Sequence, residues 1–81
     1  MKSLNIDNDK LIQDLLRYLR ENKPKKYRAT SLVNVFFRSH SADSNHPKYR
    51  IILRRLNWLY DNGYIKAHFI NHYIAIKWYA E

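Results

Sequence analysis

The chain has 81 residues, with 15 Lys and Arg against 7 Asp and Glu, four His and no Cys. That length makes a single domain, and the missing thiols exclude disulfides, thiolate metal sites and cysteine nucleophiles. No apolar run approaches the roughly 18–20 residues of a membrane span, and Lys2 is followed by polar residues rather than an apolar leader segment, so a cytoplasmic location and no membrane partner are expected.

Residues 1–7 form an N-terminal arm without clear period, in which Leu4 and Ile6 are the apolar positions. Asp7 or Asn8 can cap a first helix over 8–22. Leu11, Ile12, Leu15, Leu16, Tyr18 and Leu19 share one face of it, and Gln13, Asp14, Arg17 and Arg20 the other. Pro24 ends that helix. The KPKKYR stretch that follows holds Lys25, Lys26 and Arg28, flexible cations placed either for backbone phosphates or for solubility, and leads to a short extended piece at Tyr27–Ala29.

Thr30 can cap a second helix over 31–39, and Leu32, Val33, Val35, Phe36 and Phe37 surround it so fully that it must wedge between other elements. Arg38 is its one strong charge. A polar turn, HSADS, precedes a third helix over 45–62, for which Ser44 or Asn45 serves as the cap and Pro47 stands in the first turn. At 100° per residue Tyr49, Ile52, Leu53, Leu56, Leu59 and Tyr60 form one apolar arc, while Arg50, Arg54, Asn57 and Asp61 lie to its side. The only glycine, Gly63, marks the stop, where a left-handed residue is expected.

Residues 63–79, GYIKAHFINHYIAIKWY, alternate with period two and read as a two-stranded hairpin. A turn centred on Asn71 and His72 pairs Ile70 with Tyr73, and then sets Phe69 against Ile74, Ala67 against Ile76 and Ile65 against Trp78 on one apolar face. It sets Lys66 against Lys77 on the other.

The charge is unevenly placed. Residues 1–23 hold five Lys and Arg and four acids, residues 24–60 hold eight and one, and residues 61–81 hold two of each, so the middle segment carries +7 of the net +8. A basic field confined to part of a small domain is the footprint of a polyanion partner. One glycine leaves no phosphate-cradling loop, and no clustered carboxylates or Ser–His–Asp pattern point to catalysis, so no enzymatic activity is expected. His40 and His46, six apart, and His68 and His72, across the hairpin, have no zinc-site spacing; no metal, cofactor or small-molecule ligand is expected.

The order helix, short extended piece, helix, turn, basic helix, hairpin resembles the winged helix-turn-helix family of DNA-binding domains over about residues 8–79. The segment LRRLNWLYDNGYIKA is similar to that family's passage out of its recognition helix. Size, basic charge and missing cysteines also resemble regulators from crenarchaeal viruses and plasmids, a resemblance that for a viral protein implies the host cytoplasm. The resemblance implies an α+β fold of three helices plus a C-terminal two-stranded wing, with the third helix in the major groove. It implies base reading by His46, Lys48, Arg50, Ile51 and Arg54. It also implies backbone contacts from Lys25, Lys26, Arg28, Arg38, Arg55, Lys66, Asn71, His72 and Lys77. Ile51 and Trp58, seven apart on the third helix, form a stripe that suits the wing or a second subunit. The reading is therefore a sequence-preferring regulator that binds double-stranded DNA as a homodimer. The alternative is a winged-helix protein-interaction module without direct DNA binding.

Overall fold

Ile12, Leu15, Leu16 and Leu19 recur at the spacing that lines one side of a helix, and all four are buried. They belong to α1 (Lys10–Glu21) in a computed structural model that describes residues 4–70 and 75–81. The remaining elements are β1 (Tyr27–Arg28), α2 (Ala29–Phe37), α3 (Tyr49–Asp61), β2 (Lys66–Ile70) and β3 (Ala75–Tyr79). The fold is thus a small α+β unit of three helices and a three-stranded antiparallel sheet in the order β1-β3-β2. Ala29, Leu32 and Val33 of α2 and Ile52, Leu56 and Leu59 of α3 close the core with Ile65, Trp78 and Ala80. None of the described helices is long and apolar enough to cross a membrane.

The helix starts differ from the sequence expectation, each for a local reason. Asp9, not Asp7 or Asn8, caps α1: its carboxylate accepts the Ile12 N–H at 3.0 Å. The chain runs directly from β1 into α2, so α2 begins at Ala29 and Thr30 lies inside it. The third helix begins at Tyr49 rather than 45. Asp43 closes a turn on the Asn45 N–H at 2.9 Å, and His46 Nδ1 accepts the Lys48 N–H at 3.0 Å. Those side chains satisfy the backbone in turns before a helix can start. The second helix is also less enclosed than its composition implied. Val35 remains 45% exposed, while Phe36 lies edge-on to Tyr18 at 5.6 Å.

The end of α3 follows the glycine signal. Gly63 has φ +80°, its N–H donates to the Tyr60 carbonyl at 3.1 Å, and the Tyr64 N–H donates to the Leu59 carbonyl at 2.9 Å. These two bonds satisfy carbonyls that the helix leaves free.

The sheet corrects the hairpin in two ways. First, it has a third strand: Tyr27 pairs with Trp78 and Arg28 with Lys77. Second, the register is displaced by two residues, with Phe69 opposite Ile76, Ala67 opposite Trp78, His68 opposite Lys77 and Lys66 opposite Tyr79. A shift of two preserves the face of every side chain. It also separates Lys66 from Lys77, which direct opposition would have made destabilising. Asn-His is a poor two-residue turn, and Ile70 pairs with Ala75 instead of Tyr73. The expected turn at Asn71 and His72 lies outside the described residues.

Candidate nucleic-acid interface

Helix α3 divides its residues cleanly. Ile52, Leu56 and Leu59 are fully buried, whereas Arg50, Arg54 and Asn57 are exposed. Arg50, Leu53, Arg54, Asn57, Trp58 and Asp61 line one shallow groove along the helix. Arg50 and Arg54 stand one turn apart, and neither makes a salt bridge among the described residues. The residues outside, 1–3 and 71–74, contain no acid. Lys48 occupies the cap position of α3, exposed, with its ammonium 5.5 Å from the centre of the Phe37 ring. The positive end of the helix dipole therefore coincides with Lys48 and Arg50. His46 lies half-buried before the helix, where its Nδ1 is engaged by the Lys48 N–H.

The remaining arginine of the helix serves the fold. Arg55 holds Asp9 through Nε at 3.1 Å and Nη2 at 2.9 Å, and its Nη1 donates to the Ile51 carbonyl at 3.1 Å. The two side chains retain only 20% and 16% of their exposure. Burial alone would raise the Asp9 pKa; the Arg55 bonds and the N–H groups of Ile12 and Leu11 outweigh it and hold the carboxyl below its ordinary value. Arg55 thus ties α3 to the start of α1 rather than facing a phosphate. The signal was present in the sequence: its neighbours three and four residues away are Ile51, Ile52, Trp58 and Leu59, all apolar.

The Ile51 and Trp58 stripe is half-buried, and Trp58 also lines the α3 groove. Trp58 packs against the core and stacks on Tyr64, with centroids 5.8 Å apart and planes at 14°. Ile51 is half-buried.

The expected backbone-contact residues do not form one surface. Arg28, Lys66 and Lys77 lie on the outer face of the sheet, and Lys26 holds its ammonium 5.2 Å from the Tyr79 ring centre. His68 shares that face. Lys25 packs its ammonium 5.3 Å from the Tyr27 ring centre. Arg38 ends α2 in the left-handed region at φ 54°. Asn71 and His72 lie outside the described residues. Compared with known proteins, the chain matches no family model, no curated protein and no solved structure.

Proposed function

We propose that the protein binds double-stranded DNA through α3, as a winged helix-turn-helix regulator in which the β2–β3 hairpin is the wing. The observation that carries this reading is the pair of exposed, carboxylate-free arginines, Arg50 and Arg54, on a helix whose opposite side is sealed into the core. A guanidinium without an acidic partner is free to bind guanine O6 and N7 or a phosphate. Lys48 at the positive end of the helix fits a backbone phosphate, and Arg50, Arg54 and Asn57 are the base-reading side chains. His46 and Ile51 flank them.

A single helix of this length touches only a few base pairs, so useful discrimination calls for two copies on half-sites about 10 base pairs apart. The homodimer belongs to the same reading. The protein-docking alternative draws less support from Ile51 and Trp58, because both are half-buried and Trp58 is stacked on Tyr64. The test is selection of a preferred duplex from a random pool, followed by titration of Arg50→Ala and Arg54→Ala on that duplex and on random DNA. Larger losses on the selected duplex support base reading. Equal losses on both reduce the two arginines to backbone contacts, and failure to enrich any sequence removes the regulator reading.

A further inference from the structure

Separate stretches of the chain meet around one cavity of about 350 Å³, at the small end of the size range of ligand pockets. Leu53 of α3 and Ile76 and the buried Trp78 of β3 give it an apolar wall. Arg28, Thr30, Ser44 and Tyr49 supply its polar lining. Arg28 closes β1 where the chain turns into α2, and Tyr49 opens α3, so the starts of both helices adjoin the cavity. Neither start is capped by a side chain, and each carries partial positive charge.

The charge around the cavity has one sign. Arg28 is the one ionised side chain in its lining and makes no salt bridge with a described residue. Lys77 stands directly opposite Arg28 on β3, a like-charge pairing that a bound anion relieves. The acid nearest in sequence to the lining is Asp43, beside Ser44; it is exposed and accepts the Asn45 N–H at 2.9 Å. Among the described residues the Thr30, Ser44 and Tyr49 hydroxyls make no hydrogen bond, so they are open to an oxygen of a ligand. An apolar wall offers nothing to a bare inorganic ion, and a guanidinium with hydroxyls disfavours a pure hydrocarbon. Together they suit a carboxylate carried on a short apolar body.

We infer that this cavity is a binding site for a small amphipathic monocarboxylate, its head held by Arg28 and the hydroxyls and its body against Leu53, Ile76 and Trp78. The site stands on the cavity and its lining, and not on the DNA reading of α3. A carboxylate on Arg28 takes the place of the phosphate for which that side chain was a candidate. The ligand also touches Tyr49 and Leu53, which each precede an arginine of the candidate interface by one residue. Periodicity gave no sign of such a ligand, because the lining is drawn from segments far apart in the chain.

The probe is hexanoate, titrated into isotopically labelled protein at constant ionic strength and followed by NMR, with acetate and hexanol as partial mimics. Saturable shifts centred on the Leu53 and Ile76 methyl groups and the Trp78 indole N–H are expected. Acetate should bind at least about tenfold more weakly, for want of an apolar body. Hexanol should bind about tenfold more weakly, for want of charge. Arg28→Gln should lower hexanoate affinity about tenfold and leave hexanol affinity within about twofold, which shows the cavity itself to be intact. The absence of a saturable shift with hexanoate, or shifts spread over the basic surface instead, overturns the inference. So does acetate or hexanol binding as tightly as hexanoate, the first being general attraction to a chain of net charge +8. An Arg28→Gln variant that binds hexanoate as the parent does overturns it also. These readouts contain no DNA, so the DNA reading of α3 stands or falls separately, on the duplex titrations of Arg50→Ala and Arg54→Ala.

Discussion

Three residues show how local chemistry sets the fold. Asp9 caps α1 and anchors Arg55 at once, so Asp9→Ala should remove about 2–3 kcal/mol, the sum of a lost cap and a lost charged hydrogen-bond pair; urea denaturation measures it. The Asp9 pKa is lowered in the folded state, so its contribution is fully present above about pH 4 and disappears as the pH falls through that lowered value. The stability gap between the parent and Asp9→Asn should therefore narrow in acid; a gap that does not change with pH anywhere in the acid range would contradict the pairing. Gly63 has nothing within 4 Å of the position a Cβ would take, so Gly63→Ala should cost only the positive-φ penalty, about 1 kcal/mol. Arg38 adopts φ 54° without being glycine, so Arg38→Gly should raise the thermal midpoint while weakening binding to random DNA through the lost charge. The glycine stop was legible in the sequence because one residue type serves that geometry. The Asp9–Arg55 bond was not, because it joins residues 46 positions apart and only the apolar neighbours of Arg55 hinted that it faces inward.

At the scale of elements, α3 and the hairpin differ in how far pattern alone could carry. The period of α3 identified the buried Ile52, Leu56 and Leu59 and the exposed Arg50, Arg54 and Asn57, but it placed Tyr60, which is exposed, in the apolar arc and did not show that Arg55 turns inward. Its start was misjudged because Asp43 and His46 close turns with their own side chains, a competition that helix-cap rules do not resolve. In the hairpin, alternation determined which face each residue takes but only the parity of the register, and a weak Asn-His turn left a displacement of two open. The division of labour along α3 makes a sharp prediction. Arg50→Ala and Arg54→Ala should each lose about 1–3 kcal/mol on a selected duplex with little change in stability. Arg55→Ala should lower stability, and any loss of binding should follow the unfolded fraction. Circular-dichroism melts alongside anisotropy titrations separate the two behaviours, and full stability in Arg55→Ala would show that its bond to Asp9 is dispensable.

At the scale of the whole molecule, the three-stranded sheet is the feature that local pattern could not supply. The pairing of β1 with β3 brings Arg28 beside Lys77 across about half the chain and depends on tertiary packing rather than periodicity. Of the eight cations in residues 24–60, Arg50 and Arg54 stand exposed on α3 and Arg28 lies on the sheet, while Arg55 is bound to Asp9. The account stands first on binding to DNA. The most direct measurement is an anisotropy titration of random-sequence duplex across a salt series. The predicted result is tight binding at low salt, with affinity falling steeply as salt rises, by a log–log slope of about −0.9 for each phosphate neutralised. Absence of binding at the lowest salt, or an affinity indifferent to salt, would contradict it.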